Sequence, residues 1–182
     1  DVFAGIAPWS GHVPSGYLVD FLGTLTDARF RTMFGVDPAR VGGGHVQTQL
    51  PTIADGEGWF EFVSCVEAAR AARERFVMIT LGACYGSQAV NSWQALRRVN
   101  PMPFKLVAVE PEPENFQWTA RHMQVNGIDP DRQWLIQAAI SDRNEPVFFP
   151  VGSPGSGAQN CYSTNETAAR ASYADRIAAS RD

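Results

Sequence analysis

The sequence predicts an α/β fold built on a parallel sheet. Three observations carry that expectation. Residues 76–81 (FVMITL) form a short apolar run, the kind that sits buried on both faces of a parallel sheet. The run passes at once into Gly82-Ala83-Cys84-Tyr85-Gly86 and then into a helix-like stretch. A second buried run, residues 105–109 (KLVAV), ends on Glu110 and meets a proline-opened helix. Strand, glycine turn, helix, strand is the order of a right-handed crossover unit.

Residues 1–56 read as a lead-in segment. Within it, residues 16–25 (GYLVDFLGTL) alternate in a β-like way around a glycine and suit a strand or hairpin. Residues 40–45 (RVGGGH) lack the lysine and hydroxyl residue of a phosphate loop and read as a linker. Residues 57–75 read as a helix that covers the sheet, with Phe60, Val63, Val66 and Ala69 on its apolar face and Trp59 and Phe62 as core.

After the first strand, residues 87–98 repeat Val90, Trp93 and Leu96 at helical spacing. The next helix has clear punctuation: Pro111 and Pro113 at its start, Asn126-Gly127 as a left-handed stop. Its apolar stripe is Phe116, Ala120 and Met123, which leaves His122 on the surface. Residues 134–140 (WLIQAAI) read as a third strand and residues 147–151 as a short hairpin arm. Residues 152–157 (GSPGSG) are a loop, and Glu166–Ala179 is an alanine-rich helix anchored by Tyr173 and Ile177.

A strand that turns into a helix leaves N–H groups directed out of the helix start, and glycines let a ligand approach that backbone. A parallel second strand ends at the same crevice, where open α/β sheets bind ligands. A carboxylate there can accept two hydrogen bonds from a ribose diol. Gly82, Gly86 and Glu110 therefore describe a nucleoside site, with Glu110 at the spacing used for ribose recognition, about 20 residues or a little more. Cys84 and Ala89 stand where a G-x-G-x-x-G fingerprint needs its second and third glycines, which favours a ligand without a pyrophosphate.

LGACYG, VAVEPEPENFQWTARHMQVNG and IQAAISDRNEPVFFPV resemble the FkbM-type S-adenosylmethionine-dependent methyltransferases over roughly residues 57–151. The resemblance implies a Rossmann-like class I methyltransferase sheet with helices on both faces. The chain would supply its N-terminal half: three core strands and a hairpin within residues 57–182. It also implies O-methylation of a hydroxyl on a sugar or natural product. The cofactor would be S-adenosylmethionine, held by Leu81, Gly82, Ala83, Cys84 and Gly86 in the turn and by Glu110 and Pro111 at the second strand end. Ala139, Ile140 and Asp142 match the segment bordering the adenine. Two positions depart from the pattern: Thr80 stands where the family has an acid, and Cys84 where it has asparagine. The later strands, which carry the family's acceptor-side residues, are expected beyond residue 182. The first strand, left as a bare edge, would invite pairing with another chain, which also points to further strands of the same sheet; a homo-oligomer is left open.

Other classes are disfavoured. The net charge of −4 argues against non-specific nucleic-acid binding. There is no apolar run of about 18 residues, hence no expected membrane span. Cys65, Cys84 and Cys161 have no framework spacing and suggest reduced thiols in a cytoplasmic setting. Cys84 reads as a small residue fitting a turn rather than a nucleophile. His12 and His45 lack metal-ligand spacing. The start at Asp1 without methionine suggests an upstream piece, and the sequon at Asn165-Glu166-Thr167 reads as chance. A nicotinamide-dependent oxidoreductase domain and a catalytically silent interaction module are the competing readings.

Overall fold

A computed structural model describes residues 2–148 and 163–179. It shows an α/β chain with a parallel three-stranded sheet. The first part holds two small antiparallel pairs. β1 (Ser10–Val13) pairs with β4 (Gly44–Gln47), and β2 (Tyr17–Val19) forms a hairpin with β3 (Leu25–Asp27). The Asp20 carboxylate shapes the hairpin turn, accepting the N–H groups of Leu22 and Thr24 at 2.9 Å each.

α1 (Glu57–Ala71) leads into β5 (Phe76–Leu81), α2 (Ser87–Val99), β6 (Phe104–Val109), α3 (Pro113–Val125) and β7 (Trp134–Ile136); α4 (Glu166–Ala179) follows later. The sheet order is β5-β6-β7, all parallel, with β6 central. The punctuation of α3 works as expected. Pro113 opens it, the Glu112 side chain caps it by accepting the Asn115 N–H, and Gly127 at φ 81° follows its end.

One face of the sheet is covered. Phe76 of β5, Cys65, Val66 and Ala69 of α1, and Ala95 and Leu96 of α2 share a core with Phe3, Ile6, Phe21 and Leu22 from the lead-in. Phe21 packs edge-on against Phe3 (5.3 Å) and Phe62 (4.9 Å). A second cluster joins Leu106 and Ala108 of β6 to Ala89 and Val90 of α2 and Met123 of α3. α1 is also stapled to α2 by polar contacts: Gln88 Nε2 donates to Glu61 Oε1 (2.8 Å), and Asn100 Nδ2 donates to the Ala69 carbonyl (2.9 Å).

The other face is open along its two outer strands, with Val107 and Val109 of β6 buried between them. Side chains alternate along a strand, so Val77, Ile79 and Leu81 of β5 and Trp134 and Ile136 of β7 share it, between 44% and 62% exposed. Among the described residues the helices that pack on the sheet therefore cover one face, where both were expected.

Other expectations need correction. α1 ends at Ala71, four residues early, and Phe60 is exposed because the buried stripe runs through Cys65, Val66 and Ala69. β7 stops at Ile136 rather than at residue 140, since the Ala138 N–H turns back to the Ile136 carbonyl at 3.1 Å and closes the strand. Of the hairpin arm, Phe148 bridges to Ser163. Val147 is in no strand; residues 149–151, residues 152–157, Cys161, and the side chains of Tyr173 and Ile177 lie outside the described residues.

Candidate functional site

The turn between β5 and α2 lies against the end of β6. Gly82 and Gly86 adopt φ of 77° and 76°, and Cys84 joins them in the left-handed region at 53°. A β-carbon at Gly86 would sit 2.9 Å from Thr119 Cγ2, so the turn approaches α3 too closely for any side chain there. The Gly82 and Ala83 N–H groups both donate to the Val109 carbonyl at 2.9 Å, and the Cys84 N–H donates to Glu110 Oε2 at 2.7 Å. Gly82 and Glu110, predicted from the sequence to meet, do so.

The same bonds correct the expectation about the turn's amides. Those of Gly82, Ala83 and Cys84 are taken by Val109 and Glu110, and the Gly86 N–H bonds the Ala83 carbonyl at 2.7 Å. They tie the turn to the end of β6 instead of pointing at a ligand. Glu110 is only 4% exposed. Its Oε1 accepts the Glu112 N–H at 3.0 Å, and the Asn115 side-chain amide also donates to it. A carboxylate offers about four acceptor positions. Main-chain N–H groups take two of them, and at 4% exposure the carboxylate presents little of the remainder to a ribose diol.

The remaining predicted residues spread along the sheet's rim. Leu81 and Gly82 are exposed, Ala83 and Gly86 buried, and Cys84 and Pro111 half-buried. The Glu110 N–H donates to the Ile136 carbonyl at 3.0 Å, so the end of β7 adjoins the carboxylate. Ala139, Ile140 and Asp142 lie beyond that strand end; Ile140 is 48% exposed, and Asp142 pairs with Arg143 at 4.0 Å. Thr80, at the departure from the family pattern, is buried with no partner for its hydroxyl among the described residues.

Sequence reasoning missed the polar face of α3. Asn115, Thr119, His122 and Asn126 are all buried. Thr119 Oγ1 donates to the Cys84 carbonyl at 2.8 Å, and His122 Nδ1 lies 3.0 Å from the Tyr85 carbonyl. His122, expected on the surface, is thus behind the turn. Its signal was the spacing itself: 115, 119, 122 and 126 are one helical stripe of hydrogen-bonding residues.

Burial dominates the electrostatics. It pushes the Cys84 thiol up to about 11, with the Glu110 charge adding to it, so at neutral pH the sulfur is a protonated, weakly reactive group. Burial also raises Glu110, against the N–H groups that favour its charge, and lowers His122 to about 4. Among the described residues no three His, Cys, Asp or Glu side chains are placed to hold a metal ion, and no helix is long and apolar enough to cross a membrane. No protein-family model matches the sequence, and no curated protein matches it.

Proposed function

We propose that the crevice at the ends of β5 and β6 binds the nucleoside of S-adenosylmethionine, in a methyltransferase acting on a hydroxyl of a small-molecule or carbohydrate acceptor. One observation carries this reading: the glycine turn and the Glu110 carboxylate are joined directly, through the 2.7 Å bond from the Cys84 N–H. The residues fit the cofactor in two respects. Glu110 keeps an acceptor position for a ribose hydroxyl. Gly82 is exposed, and a β-carbon there would meet nothing within 4 Å, so ligand atoms can lie against the main chain. Leu81 and the half-buried Pro111 would flank the ligand as apolar contacts.

When bound, the cofactor supplies an activated sulfonium methyl. The chain's part is to orient it: Glu110 fixes the ribose, and the turn fixes its distance from the sheet. Alignment is most of what such a displacement requires.

Isothermal titration with S-adenosylmethionine and with its demethylated product tests the reading, and saturable heat is expected from both. Glu110→Ala is expected to weaken binding by about 1.5–3 kcal/mol, the scale of hydrogen bonds to a charged group. Absence of heat from either ligand overturns the proposal. A second reading, an interaction module on a methyltransferase-like fold, is favoured by the self-satisfied amides of the turn. It predicts a well-folded protein that binds neither ligand.

A further inference from the structure

We propose that His122 is a positioning residue of the nucleoside turn, holding it from behind through the Tyr85 carbonyl on the same helix face from which Asn126 holds the β2–β3 hairpin. The inference rests on the nucleoside reading above for its functional meaning, but its geometry stands alone.

Three successive groups on α3 reach two other parts of the chain. Thr119 Oγ1 donates to the Cys84 carbonyl (2.8 Å), and His122 Nδ1 meets the next carbonyl, that of Tyr85 (3.0 Å). One turn further on, the Asn126 side chain accepts the Leu25 N–H (2.8 Å) and donates to the Leu25 carbonyl (2.9 Å), completing a strand-like pair with β3. The nucleoside turn and the hairpin are thereby attached to one rigid helix face. The Tyr85 ring continues the link, packing at a tilt against Phe30 just after β3 with ring centres 4.3 Å apart and lying 5.2 Å from the His122 ring.

The carbonyl of Tyr85 needs a donor, so Nδ1 carries the hydrogen. The lone pair is then on Nε2, which has no hydrogen-bond partner among the described residues. His122 is 5% exposed. A neutral ring with this tautomer suits the place, since burial disfavours its charge more than the Tyr85 and Leu25 main-chain groups favour it. The groups around it are the Tyr85 phenol from the turn, Tyr17 and Asp27 from the hairpin, and Arg121 from its own helix. Asp27 is engaged by Arg29 at 2.6 Å, and Arg121 lies over the Trp118 ring at 4.9 Å.

Two measurements decide the matter. The first needs no ligand: nitrogen-15 spectra are expected to show the His122 ring neutral with its hydrogen on Nδ1 at pH 7, and still neutral at pH 5.5. Nε2–H tautomer at His122, or titration of that ring near 6.5, overturns the proposal. The second compares variants by hydrogen exchange and by titration with the demethylated cofactor. His122→Leu is expected to lose about tenfold in affinity, the effect of one unpaired carbonyl. Its exchange protection is expected to fall at the amides of 84–86 and not evenly along the chain, while Leu25, whose N–H is held by Asn126, keeps its protection. His122→Asn, which places an amide N–H where Nδ1 stood, is expected to restore both. Unchanged protection and affinity in His122→Leu overturn the proposal, as does a loss of protection spread evenly over the chain. If wild-type protein binds no nucleoside, the function proposed above fails, while the local exchange pattern still decides the role of His122.

Discussion

Asp20 and His122 carry opposite pH signatures, and together they shape the stability of this chain. Burial raises Asp20 from its ordinary 3.8 to about 6. The folded state keeps that proton to higher pH than the unfolded state does. Its contribution is therefore full below about 4 and lost as pH rises through 6. His122, lowered from 6.5 to about 4, behaves in the reverse way. Its contribution is full above 6.5 and lost as pH falls through 4. Each is worth about 3 kcal/mol at 1.36 kcal/mol per pH unit, so the two nearly cancel across the shared window. Asp20→Asn separates them, because the asparagine oxygen still accepts the Leu22 and Thr24 N–H groups. Urea unfolding at a series of pH values should show the variant's advantage over wild type shrinking by about 3 kcal/mol between pH 7 and pH 4. A constant difference would mean that Asp20 is not buried as a charge at neutral pH.

At the level of elements, what could be read in advance was what depends on neighbours in sequence. β5 and α3 begin and end where apolar runs, prolines and the Asn-Gly stop place them. What could not be read depends on distant partners. β7 is cut short by a backbone turn that no side chain announces. His122 is buried because a carbonyl 37 residues away needs a donor. The turn–carboxylate pair was legible, since one crossover unit holds both; the consumption of the turn's amides was not, since it follows from how closely Val109 approaches. The sheet's two faces give a further contrast. Ile79, 59% exposed, and Leu106, fully buried, come from adjacent strands of one sheet. Ile79→Lys is expected to change stability by less than about 0.5 kcal/mol and to lower binding of a hydrophobic dye. Leu106→Ala should cost roughly 2–5 kcal/mol. Denaturant melts of both variants check the pair, and a large loss in Ile79→Lys would mean that this face is covered in solution.

For the molecule as a whole, the core is shared. Phe3, Ile6, Phe21 and Leu22 precede residue 57, yet they pack with α1, β5 and α2, and Arg98 Nη1 reaches back to the Ala7 carbonyl at 2.9 Å. Unfolding is expected to be one transition for the hairpins and the sheet alike. Phe21→Ala should remove about 3–5 kcal/mol from both at once. Two separate transitions, one seen by Trp9 and one by the sheet, would instead mark residues 1–56 as a unit that folds by itself.

The bare side of the sheet has a thermodynamic consequence. Val77, Ile79, Leu81, Trp134 and Ile136 each keep about half of their surface in water, and drying them would release roughly 1 kcal/mol apiece, about 5 kcal/mol together. That sum approaches the entire margin by which an ordinary domain stays folded, about 5–15 kcal/mol. By mass action, a ligand that dried that side would raise the melting point of this chain.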